Sequence, residues 1–281
     1  MKLSLGISPC PNDTYIFDAM LHGKIDTEGL EITPRLEDVE TLNHLAIEGS
    51  LDITKVSYGV VFQLINQYMI LEAGSALGKG VGPLFVSKNI EDEKEIDPSK
   101  ISVALPGINT TAHLLFSLAY PEIKNKTFVP FHVIEDMVLT GAVDAGVIIH
   151  ENRFTYQQKG LKKISDLGDV WEKRTGAPIP LGGILVRRSF DLELSTKINR
   201  VINRSLAYAN ENAHALPSFV TENAQEMSEE VMRNHIGLYV NEFSLALGKE
   251  GRLAVLELIR ASAALNQKGF PEGLNIFLQD N

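Results

Sequence analysis

The residues best suited to chemistry stand where a hydrophobic run stops. Val147, Ile148 and Ile149 form a β-branched stretch, and His150, Glu151, Asn152 and Arg153 follow it without a spacer. Such a run reads as a strand buried on both faces, and its carboxyl end is where ligands sit in open α/β sheets. An imidazole placed there titrates near neutral pH and can take or give a proton. The plain alternative for His150 is a hydrogen-bonded structural histidine. Lys55 and Ser57 stand at the end of another candidate strand, 51–56. A cation and a hydroxyl at that point suit a carboxylate or sugar-like ligand. They equally suit a solvated lysine and a serine capping the next helix. Thr110 and Thr111 precede an apolar helix expected at 112–119. Hydroxyls and amides at a helix N-terminus, helped by the helix dipole, make an anion pocket. Ordinary capping explains one of these threonines more readily than both.

These groups need elements to hold them. Residues 3–8 read as a first strand, the Pro9–Pro11 pair as a stiff turn, and 14–22 as a helix closed by Gly23. Ser8, Asn12 and Asp13 therefore fall at a strand end or in a first helical turn. Further strands are expected at 30–36, 51–56, 70–77, 84–86, 101–105, 128–134, 145–149, 161–167 and 183–186. Helices are expected at 38–47, 60–68, 112–119 and 135–140, and from 192 onward the pattern is helical. The glycine-rich run 78–83 lacks both the dinucleotide fingerprint and the Gly-Lys-Ser/Thr of a phosphate loop. It reads as a loop that approaches a ligand.

Strands alternate with helices twice, and the last helices bring no strand of their own. They must return to an existing sheet. The expected fold is therefore α/β with two units: 1–97 together with 185–281 as a discontinuous larger domain, and 98–184 as an inserted smaller one. The charged stretch 90–100 is expected to lie near the junction. Ser8, Ser57, Thr110, Thr111 and His150 would collect in the cleft between the units.

Composition narrows the partners. The 281 residues are 44% hydrophobic and 22% charged, enough for a large core. A formal net charge of -10 argues against a nucleic-acid footprint, though not against a local pocket for a small anion. No apolar run approaches the roughly 20 residues of a membrane span. The N-terminal apolar part is too short for a signal peptide, so the expected location is the cytoplasm. The one cysteine, Cys10, excludes an internal disulfide and reads as a packing residue rather than a nucleophile.

The chain also carries a specific resemblance. Residues 8–17 (Ser-Pro-Cys-Pro-Asn-Asp-Thr-Tyr-Ile-Phe) resemble the N-terminal signature of 1,4-dihydroxy-6-naphthoate synthases, enzymes of the futalosine route to menaquinone. Residues 36–43, 54–58, 78–84, 110–112, 146–156, 239–241 and 243–244 are also similar to that family. The resemblance implies a two-domain, periplasmic-binding-protein type II-like fold. It implies a cytoplasmic lyase that uses neither metal nor organic cofactor and takes cyclic dehypoxanthinyl futalosine, a small carboxylate, to 1,4-dihydroxy-6-naphthoate. His150 matches the family's proposed proton acceptor. Lys55, Val56 and Ser57 match one substrate-binding segment, and Thr110 with Thr111 another. Ser8, Asn12 and Arg153 complete the expected substrate contacts. The rival readings are a non-catalytic solute receptor of the same fold and a chorismate dehydratase of the same pathway. The absent signal peptide argues against the first, and the 8–17 signature against the second.

Overall fold

A computed structural model describes residues 2–224, 228–271 and 273–279. The first five strands are β1 (Lys2–Ile7), β2 (Glu31–Leu36), β3 (Ile53–Ser57), β4 (Tyr68–Ile70) and β5 (Ala76–Gly78). The chain then leaves for a second sheet of β6 (Leu84–Ser87), β7 (Val103–Leu105), β8 (Lys126–Phe128), β9 (Ala145–Ile148) and β10 (Lys162–Asp166). It returns in the long strand β11 (Ile179–Arg187).

The first sheet has the order β2-β1-β3-β11-β4, with β5 also on β11. Its β1 runs parallel to β2 and β3, while β11 lies antiparallel to β3, β4 and β5. The second sheet has the order β10-β6-β9-β7-β8. Pro34 is tolerated because β2 is an edge strand, where a missing N–H breaks no ladder. Pro180 sits beside a register shift in β11, which lets that strand pair with β5 and then with β3 and β4.

Sheet membership corrects the expected boundaries. β6 pairs with β9 and β10, so the chain crosses to the second sheet between 78 and 84, not near 97. It crosses back between 166 and 179, before the expected 184. The charged stretch 90–100 is therefore a surface connection inside the second unit. Two local readings also change. The strand expected at 128–134 ends at Phe128, because Pro130 has no N–H to continue the ladder. Phe131–Val133 then turns into the helix Ile134–Thr140. The helix expected at 60–68 shrinks to a short turn and Val61–Leu64, and Tyr68 already belongs to β4.

The C-terminal helices do return to the first unit. Leu192–Glu211 buries Ile198, Val201, Ile202, Leu206 and Ala209 along one stripe, and it packs on the helix Pro11–Leu21. Polar contacts pin that pair: Tyr15 Oη donates to the Ala209 carbonyl at 2.8 Å, and Ser205 Oγ to the Ile16 carbonyl at 2.6 Å. One apolar cluster runs through both units. It joins Val56 and Leu64 of the first to Phe85, Leu105, Leu115 and Trp171 of the second. Among the described residues no helix is long and apolar enough to cross a membrane.

Candidate active site

A cavity opens between the two sheets. Its apolar walls include Val39, Ala76, Val81, Pro83, Ala112, Ile149 and Leu181. Its polar lining comes from Ser8, Asn12, Asp13, Lys55, Ser57, Thr110, Thr111, His150, His235 and Tyr239. Apolar walls with a few fixed polar groups suit a small, largely apolar ligand held in one orientation.

The floor forms where β1 meets the helix Pro11–Leu21. Pro11 occupies the first helical position, where its missing N–H leaves nothing unpaired. Asp13, in that first turn, is buried. It accepts from Ser8 N at 3.1 Å, Ser8 Oγ at 2.7 Å and Asn12 Nδ2 at 2.8 Å. Lys55 Nζ lies 3.0 Å from Asp13 Oδ1 and 3.2 Å from the Gly74 carbonyl. This buried ion pair joins two strand ends. Strand alternation explains the rest of β3: Lys55 and Ser57 face the cavity, whereas Val56 points the other way into the apolar cluster. Val56 is thus a core residue, not a side-chain contact for a ligand. Ser57 is held by Asn43, whose Oδ1 accepts from Ser57 N at 2.9 Å and whose Nδ2 donates to Ser57 Oγ at 3.2 Å.

Both threonine hydroxyls have structural partners. Thr110 Oγ1 donates to the Gly107 carbonyl at 2.9 Å and caps the helix Thr111–Ala119 by accepting from His113 N at 3.2 Å. Thr111 Oγ1 donates to the Leu181 carbonyl at 2.7 Å and accepts from Gly59 N at 3.0 Å, which ties this helix to the first unit. The expectation that the hydroxyl protons bind an anion is corrected, since each hydroxyl has one proton to donate. The first-turn amides of Thr111 and Ala112 have no intrahelical acceptor and remain the donors at this end.

His150 follows β9 in a left-handed conformation, φ +57°. That region is uncommon outside glycine and is a frequent mark of a functional turn. Nδ1 is 3.6 Å from Cys10 Sγ, and the Phe131 ring meets the imidazole edge-on at 4.9 Å. Burial lowers its pKa to about 4, reinforced by Lys55 and opposed by Asp13 and Asp38. The ring is therefore neutral at neutral pH. Burial and the Glu151 charge push the Cys10 thiol well up, so it stays protonated. That disfavours a nucleophilic cysteine. Arg153, expected at the ligand, does not line the cavity. Its guanidinium donates to the Gly82 and Gly80 carbonyls and pairs with Asp166 at 3.1 Å, fastening the 78–83 loop.

Asp13, His235 and Tyr239 join the site beyond the residues that the sequence proposed for it. The sequence places Asp13 at a strand end or first helical turn without giving it a ligand role. His235 is fully buried and lines the cavity. Its Nε2 donates to Asn12 Oδ1 at 2.9 Å, given that Asn12 Nδ2 already faces Asp13. Its ring lies 6.2 Å from that of His150, and burial, with His150 and Lys55, lowers its pKa. A signal existed: Met232, His235 and Tyr239 share the buried stripe of the helix Glu229–Tyr239. Cys10, His150 and Glu151 could hold a cation, their donor atoms lying within 4.8 Å of one another.

Comparison with known proteins agrees with this architecture. Residues 3–264 match a family model described as menaquinone biosynthesis. The chain is 45% identical over 266 residues to a 1,4-dihydroxy-6-naphtoate synthase of Thermus thermophilus, covering 93% of this chain and 94% of that one. It is 41% identical over 268 residues to the protein of that name from Streptomyces coelicolor, covering 93% of each. A Candida albicans protein described as having the generic periplasmic-binding-protein fold superposes with a TM-score of 0.71 at 13% identity, covering 100% of this chain and 98% of that one. The fold is thus periplasmic-binding-protein-like, as the sequence implied.

Proposed function

Because the chain belongs to the menaquinone-biosynthesis family of 1,4-dihydroxy-6-naphthoate synthases, we propose that it is a carbon–carbon lyase acting on cyclic dehypoxanthinyl futalosine. The reading places it on the futalosine route, in the cytoplasm, with His150 as general base. Its product is 1,4-dihydroxy-6-naphthoate, released as the sugar-derived portion is cleaved away. The observation that carries the reading is a neutral imidazole in the wall of an apolar cavity, with no positive charge to remove before it can accept a proton.

The chemistry follows from the substrate and the site. Opening the spiro-ring skeleton begins with removal of a proton beside an electron-withdrawing group, and formation of an aromatic ring supplies driving force. For Nε2 of His150 to take that proton, the ring's own hydrogen must sit on Nδ1, pointing at Cys10 Sγ. A base so placed contributes about 10²–10⁴-fold. The substrate carboxylate fits the first-turn amides at Thr111 and Ala112, where the helix dipole favours negative charge. The Ser57 hydroxyl and the Asp13–Lys55 floor supply further polar contacts. The apolar walls exclude water from the intermediate. No resident metal or organic cofactor is required by this scheme.

The test is turnover of cyclic dehypoxanthinyl futalosine by wild type and His150→Ala, with substrate binding measured on both. The expected result is product from wild type, and about 10²–10⁴-fold slower turnover with retained binding in the variant. Absence of product from folded wild type refutes the lyase assignment. Full activity in His150→Ala keeps the family and rejects this base.

A further inference from the structure

We propose that Cys10, His150 and Glu151 form a binding site for one thiophilic divalent cation, and that its occupancy switches His150 off as a base. The second half rests on the reading of His150 above; the binding site does not.

The geometry fits a cation. Typical zinc–sulfur and zinc–nitrogen bonds of about 2.3 and 2.0–2.1 Å place the two atoms about 3.6 Å apart in a tetrahedron. Cys10 Sγ and His150 Nδ1 are 3.6 Å apart. The third donor, a Glu151 carboxylate oxygen, lies within 4.8 Å of both. His150 has the left-handed conformation, and the donor atoms of two consecutive residues converge on Cys10. One thiolate, one carboxylate and one neutral imidazole are a donor set for zinc, leaving a fourth position for water or a ligand in the cavity.

The charges also balance. Cys10 and Glu151 are both buried. A divalent cation with one thiolate and one carboxylate gives a neutral cluster, so no net charge is buried. Binding breaks the Cys10 S–H bond, forms a metal–sulfur bond and releases the proton to buffer. The metal also takes the lone pair of Nδ1. The imidazole hydrogen must then sit on Nε2, and the nitrogen proposed to accept the substrate proton has no lone pair left.

The experiment uses the full chain freed of metal by a chelator and titrated with cobalt(II) as a spectroscopic probe for zinc. One equivalent should bind, with thiolate-to-cobalt charge-transfer absorption that zinc displaces. Cys10→Ser should lose that absorption. Glu151→Gln should bind at least ~10-fold more weakly, and it keeps the test decisive should Cys10→Ser fail to fold. Zinc should inhibit wild-type turnover and a chelator should restore it. Charge transfer absent at saturating cobalt, or unchanged cobalt affinity in folded Glu151→Gln, overturns the site. The absorption does not depend on turnover, so it stands or falls apart from the lyase assignment. Zinc bound at one equivalent with full turnover overturns the switch.

Discussion

The buried pair at the cavity floor gives a prediction that can be worked through. Lys55 and Asp13 have side chains only 6% and 1% exposed. Removing one partner of such a pair costs about 3–5 kcal/mol, because the other is left charged and dry. The two partners are not equivalent here. Without Lys55, Asp13 still accepts from Ser8 N, Ser8 Oγ and Asn12 Nδ2. Without Asp13, the Lys55 ammonium keeps, among the described residues, the Gly74 carbonyl, and Ser8 N loses its acceptor. Asp13→Ala should therefore cost the full ~3–5 kcal/mol. Lys55→Met should cost about 1.5–3 kcal/mol, the range of one charged hydrogen bond. The double variant should recover part of the Asp13→Ala loss, with a coupling of about 0.5–3 kcal/mol. Urea unfolding followed by circular dichroism measures all three, with slopes compared to confirm the same unfolding transition. In melting temperature, Asp13→Ala should fall about 6–20 °C, at roughly 2–4 °C per kcal/mol. A Lys55→Met loss equal to or above that of Asp13→Ala, or strict additivity in the double variant, refutes the argument.

The His150 shift predicts a pH effect with a definite sign. Its folded pKa of about 4 lies below the ordinary 6.5, so between these values the unfolded chain binds a proton that the folded chain does not. Stability should fall as pH drops through that window, by on the order of 3 kcal/mol, and His150→Gln should flatten the slope in acid titrations of unfolding. In metal-free protein, kcat/KM should be level near neutrality and fall only as pH approaches 4; a limb near 6.5 contradicts the assignment. Thr111→Val removes the acceptor of Gly59 N and the donor to the Leu181 carbonyl. The loss should be about 1–3 kcal/mol in denaturant unfolding, since both part-buried backbone groups lose their partner. A Cβ on Gly82 would meet the Gly168 backbone inside van der Waals contact. Gly82→Ala should cost about 1–3 kcal/mol, read as a lower melting temperature.

Much of this protein was legible from one dimension. The run Val147–Ile149 ending at His150, the helix that follows the Pro9–Pro11 turn, and the threonine-capped helix after Asn109 are local patterns. Their periods and caps depend on neighbours three or four residues away. The α/β class and the helical C-terminus followed from the same patterns, and the 8–17 signature marked the family. Tertiary structure decided whatever depends on distant partners. Sheet membership moved β6 and β11 across the expected boundaries, because strand pairing is set by hydrogen bonds between segments remote in sequence. It also decided what each polar group has left to offer. Thr111 gives its proton to Leu181, Arg153 clasps the 78–83 loop, and Lys55 meets Asp13. The sequence could name these groups as donors; only the folded chain fixes which donors are already satisfied. His235 shows the same limit from the other side: a polar residue on an apolar stripe becomes part of the site only because helix Glu229–Tyr239 packs its buried face beside Asn12 and His150.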